Sequence, residues 1–372
     1  MDATTLATRT EVAVDGLSVV AYEIPTDAPE SDGTLEWEST TLVLVEARAG
    51  GETGLGFTYG DVAVATLIDS KLASIAEGAD ALAPAAAWQR MRAALRNAGQ
   101  PGVGAMALSA VDIALWDLKA KLSGVALADV LPRFRARVPI YGSGGFCSYS
   151  DERLAEQLAG WADAGIGSVK MKVGRDRGRD RERVRAARSA IGPNVELMVD
   201  ANGAYERKEA LAWADRFAEY GVTWFEEPVS SDDLEGLRLL RDRAPAGMSI
   251  AAGEYGWDHF YFERMLAAGA VDVLQADVTR CGGITGLRAA GAVAAAHSVP
   301  LSAHCAPAIS AHACCGVEAF EHLEYFHDHV RIEGMLFDGT LDPDQGFLEP
   351  DRSRAGLGLE LKRDAAREYE VR

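Results

Sequence analysis

Three acidic residues close apolar runs in this chain: Asp200 in LMVDAN, Glu226 in WFEEP and Glu254 at the end of IAAGE. Carboxylate oxygens with no Cys or His beside them suit Mg²⁺, or Mn²⁺, and suit Zn²⁺ poorly. Any one of the three could instead cap a helix or pair with an arginine. Three in succession, about one strand-helix unit apart and with Asn202 two residues after Asp200, point to one shared divalent-metal site.

Acid-base groups accompany this set. Lys170 and Lys172 in SVKMKVG are two residues apart, so on a strand both side chains face the same way. A buried lysine is costly unless it is paired or at work, and a second ammonium plus a metal cation would lower the Lys172 pKa toward neutrality, making a base. The bland alternative is two lysines that neutralise the acids or reach solvent. His304 closes PLSAH and Asp277 closes VLQAD, so a carboxylate on the adjacent strand could fix the imidazole tautomer and leave its other nitrogen for proton transfer. His297, His322, His327 and His329 show no acidic partner in the sequence. Glu324 in HLEYF could donate a hydrogen bond to a substrate carboxylate if its surroundings keep it protonated, or it could form a salt bridge to a lysine. Tyr141, Ser143 and Asn202 are further candidates for the pocket wall.

These residues need strands to bring them together. From Val138 onward strands alternate with alanine-rich amphipathic helices: Val138–Ser143, Ser168–Val173, Val195–Asp200, Thr223–Glu227, Ser249–Glu254, Val271–Asp277, Val299–His304 and His322–Phe326. Eight strands in succession suggest a closed parallel α/β barrel over 132–336, because an open sheet would more often carry a glycine fingerprint after its first strand. Residues 1–131 read as a smaller α+β domain with strands in EVAVDGLSVVAYEI and STTLVLVEARA and a buried helix over Ala107–Leu122. Pro25–Trp37, rich in Pro, Asp, Ser and Gly, reads as a loop, either a connector or a lid in which Trp37 shields the pocket or anchors the loop. Specificity is expected there, at Gly56–Tyr59 and at the end of the first barrel strand. The tail, 337–372, with GLGLELK, is expected to return to the small domain.

Composition bounds the function. The 372 residues leave room for a barrel of about 200 to 250 residues and a smaller domain. A net charge of -19 disfavours nucleic acid and anionic membranes, while a small anion remains acceptable if metal and lysines make the pocket locally positive. Five cysteines without ligand-like pairing argue against a disulfide framework and for a reducing cytoplasm. No apolar run reaches bilayer length, and no secretory leader pattern opens the chain.

In order along the chain, KMK at Lys170–Lys172, DAN at Asp200–Asn202, EEP at Glu226–Pro228, GE at Glu254, Asp277 before CGGIT, His304 and LEY around Glu324 together resemble the enolase superfamily, in its mandelate racemase subgroup. The helix ALSAVDIALWDLKAK resembles the family's capping-domain segment. The muconate lactonizing subgroup would carry a lysine where Asp277 stands. The resemblance implies a capping domain over a modified (β/α)₇β barrel, Mg²⁺ on Asp200, Glu226 and Glu254, and a substrate carboxylate on the metal whose neighbouring carbon loses a proton to give an enediolate. It further implies Lys172 and His304 as acid-base groups on opposite faces, with Lys170 holding the carboxylate and lowering the Lys172 pKa. Homo-oligomers are usual among such proteins. Acid-sugar dehydration is the expected reaction, ahead of cycloisomerisation of an anhydro sugar acid and of racemisation. A barrel that merely binds a sugar acid would be expected to have lost Lys172 or His304.

Overall fold

The structure, a computed structural model, describes residues 11–372. An antiparallel sheet opens it: β1 (Gly16–Ser31), β2 (Glu36–Ala49) and β3 (Glu52–Tyr59). The helix Val103–Leu122 lies on this sheet, and Gly54 and Gly56 admit it. A Cβ at either glycine would sit 2.2 Å from the Ala114 carbonyl oxygen or 2.4 Å from that of Ala110. Sequence reading missed β3, because its two glycines look like a turn when their role is close packing.

Pro25–Trp37 is likewise not a loop. β1 and β2 pair in register as far as Pro25 with Ser39, pass an irregularity, and resume with Glu30 opposite Trp37 and Ser31 opposite Glu36. Asp32 closes the turn by accepting hydrogen bonds from the backbone amides of Thr34 at 2.6 Å and Leu35 at 2.7 Å. β1 is an edge strand, where Pro25 and Pro29 break no central ladder. The composition that suggested a loop describes a ribbon extending from the sheet.

Eight parallel strands follow: β4 (Val138–Gly144), β5 (Ser168–Lys172), β6 (Glu196–Asp200), β7 (Val222–Glu226), β8 (Ser249–Ala252), β9 (Val273–Asp277), β10 (Leu301–His304) and β11 (Phe320–Phe326). β11 pairs with β4, so the sheet closes into a barrel. The intervening helices bury one stripe each. Asp180–Ile191, for example, buries Val184, Ala187 and Ile191 against the strands. Tyr141, Met198, Trp224, Ala251 and Val273 form a cluster of their own inside the barrel, so it is a filled core with chemistry only at its rim. After β11 the helix His327–Leu336 leads to a tail that touches both halves. Phe347–Leu348 pairs antiparallel with the start of β4, the Leu357 amide donates to Asp117, and Ala21 exchanges backbone hydrogen bonds with the last two residues.

Candidate active site at the barrel rim

Strand register places the chemistry. Lys172 lies opposite Asp200, Asp200 opposite Glu226, and Asp277 opposite His304. Paired positions on adjacent strands point to the same face, so groups far apart in sequence become neighbours. β8 stops at Ala252, two residues short of the expected Glu254. Gly253 turns the chain there with φ +132°, where a Cβ would sit 2.2 Å from the Gln275 carbonyl oxygen. That turn carries Glu254 in beside the other acids.

Asp200, Glu226 and Glu254 are all buried and offer oxygens within 4.8 Å of one another. Glu254 Oε2 is buried and makes no well-aligned hydrogen bond, its nearest charged neighbour being His304 Nε2 at 3.2 Å, so it has room for a further ligand, a feature that fits an ion-binding set. Asn202, at φ 45°, gives its backbone amide to Asp200 Oδ1 at 2.9 Å and so fixes that carboxylate.

The two lysines take different partners. Lys172 Nζ lies 2.5 Å from Asp200 Oδ2. Burial, the largest influence, and Lys170 oppose its charge, but Asp200 together with Glu254 and Glu226 raises its pKa above the ordinary lysine range. Lys170, fully buried, reaches Glu226 at 2.6 Å and Glu324 at 2.9 Å. Glu324 also accepts a 2.6 Å hydrogen bond from Ser143. Burial alone would raise the Glu324 pKa; Lys170, then His304, Lys172 and Ser143, hold it well below the usual carboxylate range. Of the two roles considered for Glu324, the geometry favours the salt bridge to a lysine over the protonated donor.

His304 Nδ1 lies 2.7 Å from Asp277 Oδ2, while its Nε2 faces Glu254 Oε2 at 3.2 Å. The Thr279 amide and hydroxyl donate to Asp277 Oδ1 at 2.6 and 2.7 Å, which locks the carboxylate. Burial opposes the imidazolium, but Cys305, Glu254, Glu324 and the Asp277 hydrogen bond raise the His304 pKa well above its usual value.

A cavity of about 700 Å³ opens above these groups, between the rim and the cap. Lys172, Glu254 and His304 line it, as do the expected substrate contacts Asn202 and Trp37. Four other expected contacts do not. Lys170, Glu324 and Ser143 lie beneath the rim, and Tyr141 packs in the barrel interior with its hydroxyl 3.4 Å from Lys170. Of Gly56–Tyr59 only Tyr59 reaches the cavity. Trp37 does both things considered for it, lining the cavity and anchoring the hairpin through a 2.8 Å hydrogen bond to Glu30. Sequence reasoning missed Arg280, which approaches Glu254 at 3.3 Å and Asp277 at 3.5 Å. Its position three residues after Asp277 was the available signal. It also passed over His327, which lies 3.2 Å from Asp27, and His329.

A closed eight-stranded parallel barrel under an antiparallel cap, with carboxylates and acid-base groups at the C-terminal ends of its strands, defines a capped (β/α)-barrel of the enolase type. The family comparison agrees. Residues 18–131 match the mandelate racemase / muconate lactonizing enzyme N-terminal domain, and residues 153–365 match the enolase C-terminal domain-like family. The chain belongs to the mandelate racemase / muconate lactonizing enzyme family. It is 33% identical over 353 residues to the 3,6-anhydro-alpha-L-galactonate cycloisomerase of Streptomyces coelicolor, covering 92% of this chain and 96% of that one. It is 30% identical over 369 residues to the D-galactarolactone cycloisomerase of Agrobacterium fabrum (93% and 95% covered), and 31% identical over 332 residues to the L-talarate/galactarate dehydratase of Salmonella typhimurium (88% and 82%). Among solved structures, a mandelate racemase/muconate lactonizing enzyme-like protein from Rubrobacter xylanophilus superposes with TM-score 0.95 at 65% identity, covering 96% of this chain and 100% of that one. A racemase from Streptomyces coelicolor with bound magnesium superposes with TM-score 0.90 at 30% identity, with the same coverage. Among the described residues no helix is long and apolar enough to cross a membrane.

Proposed function

We propose that this protein is a magnesium-dependent enzyme that removes the proton next to the carboxylate of a sugar acid and expels the β-hydroxyl, giving an α-keto-β-deoxy acid. One observation carries this reading: Lys172 and the Asp277-held His304 meet the same carboxylate cluster from different strands, at 2.5 Å from Asp200 and 3.2 Å from Glu254. Bound to Asp200, Glu226 and Glu254, Mg²⁺ would take up the charge that holds Lys172 and His304 protonated, so that one of them can serve as a free base, and would withdraw electron density from the substrate carboxylate, easing ionisation of the adjacent C–H.

The remaining work falls to the protein. Either Lys172 or His304 accepts the α-proton; the other, on the opposite face, protonates the β-oxygen as its bond to carbon breaks, so that water leaves. The resulting enol takes a proton at the β-carbon and becomes the keto acid. Asp277 holds His304 with Nε2 toward the cavity, and Lys170, itself out of reach of the cavity, positions Glu226 and Glu324.

Cycloisomerisation is the second reading, favoured by the two cycloisomerase relatives that align over more than nine-tenths of the chain. There the expelled oxygen belongs to a ring and stays in the product. The purified protein with Mg²⁺, incubated with a panel of sugar acids and their anhydro forms, separates the two. Dehydration yields a keto acid lighter by one water, and cycloisomerisation yields one of unchanged mass. Failure of every substrate to form a keto acid or to exchange its α-hydrogen with deuterated solvent overturns both.

A further inference from the structure

The positive charge of the cavity is gathered around the metal-binding acids. Of its lining side chains, Lys172, Arg280 and His304 are the basic groups that face the metal-binding acids, each within 3.3 Å of Asp200 or Glu254. The rest of the lining, from the cap and the residues after β11, brings Asp32, Asp61 and Asp328 and no lysine or arginine. Asp328 is buried, accepts a 2.5 Å hydrogen bond from Thr40 and pairs with Arg331 at 2.7 Å, so Arg331 is already engaged by an acid. No lysine or arginine of the lining is left to balance a second carboxylate.

One neutral donor is also part of the lining, beside the turn that follows His304. His329 lines the cavity and lies flat against Tyr59, with ring centroids 3.4 Å apart. The backbone amide of Ala306 approaches His329 Nδ1 at 3.3 Å. An amide can only donate, so Nδ1 carries no proton, and the neutral ring holds its hydrogen on Nε2. Cys305 and Ala306 adopt φ +51° and +47°, a conformation costly for residues with a Cβ, and this turn aims the Ala306 amide at the ring. Burial, the largest influence, pushes the His329 pKa down to about 3, in keeping with a neutral ring.

We infer that the substrate is a monocarboxylic sugar acid, an aldonate or its anhydro form rather than a diacid, whose uncharged hydroxylated end is read by the His329 Nε2–H. This rests on the reaction proposed above and narrows its substrate class. A terminal carboxylate beside Asp32, Asp61 and Asp328 would meet like charge with no free lining cation to offset it. A hydroxyl accepts from His329 and can donate to the acids.

Paired substrates of equal carbon number, aldonate against aldarate, test the inference by turnover and, with Mg²⁺ present, by calorimetric binding. The expected result is a preference for the monoacid of roughly 100-fold in kcat/KM and in affinity. Equal or better use of the diacid overturns it. Binding of monoacids without turnover supports the substrate class while removing the proposed reaction; binding of neither class overturns both. His329→Phe should raise KM for the aldonate about tenfold while changing kcat and α-hydrogen exchange far less. His329→Gln, which keeps a neutral donor, should recover much of that loss. An unchanged KM in His329→Phe excludes His329 as the reader.

Discussion

The barrel rim and the cap hairpin both line the cavity, yet different forces hold their side chains in place. At the rim, the parallel register fixes Lys172, Asp200 and Glu226 in one row and Asp277 beside His304. In the hairpin, position depends on long-range pairs made after the cap meets the barrel. Asp27 reaches Arg153 and His327, both at 3.2 Å, and Ser148 donates to the Pro29 carbonyl at 2.7 Å. Exposed pairs of that kind contribute about 0 to 1 kcal/mol each, whereas a rim side chain is carried by a whole ladder. Chemistry is therefore fixed by the stiff element and access by the soft one.

The largest expected effect falls on the rim. Chelation should abolish turnover and added Mg²⁺ restore it; Mn²⁺ should substitute and Zn²⁺ should do so poorly. The chelated protein should also melt at a lower temperature, because an ion that binds only the folded state stabilises it. Undiminished activity after exhaustive chelation would remove the carboxylate set from the mechanism.

Lys172→Ala and His304→Asn come next, each lowering turnover by about 10² to 10⁴-fold with circular dichroism unchanged. Exchange of the substrate α-hydrogen with deuterium in one variant but not the other would identify the proton acceptor. Near-normal rates in both would show that the two groups do not work as a pair.

A smaller effect is expected when residues 27–33 are replaced by a short Gly-Ser linker. KM should rise and kcat fall by roughly tenfold, through lost shielding of the cavity, while Mg²⁺ affinity by calorimetry stays near the parent value. Equal loss of metal affinity would mean that hairpin and rim are not separable.

The smallest effect is a pH dependence of stability. Glu30 is buried on β1 with Oε1 unpartnered, and its pKa is pushed up to about 8, first by burial and then by Asp328, against the Trp37 hydrogen bond. For an acid raised in the fold, the folded state binds the extra proton between the unfolded value of 4.5 and about 8. Stability from this group is thus full below that window and declines as pH rises through it. Glu30→Gln should flatten the decline in melting temperature and be more stable than the parent above the window. A parent and variant with parallel profiles would show that Glu30 is not the titrating group.

Much of the site could be read from residue order because it sits on strand ends. Each acid or base follows an apolar run, and runs of that kind in alternation with amphipathic helices can close a barrel with those ends together. The family resemblance rested on the same residues. What failed was tied to spatial neighbours. Glu324 could be a protonated donor or a lysine partner by sequence, and only the fold puts Lys170 2.9 Å away, while Tyr141 and Ser143 read as pocket wall but lie inside the closed barrel. β3 was hidden by Gly54 and Gly56, whose reason is a helix some sixty residues further on.

The sequence by itself determined the alternation of strands and helices, the acids and bases at their ends, and the excess of negative charge, since these depend on local pattern and residue type. Tertiary structure alone decided that Pro25–Trp37 is a ribbon, that Arg280 approaches Glu254 and Asp277 and that the Ala306 amide meets Nδ1 of His329. Each of those depends on which distant backbone or charge comes within hydrogen-bonding distance, and spacing along the chain carries no such information.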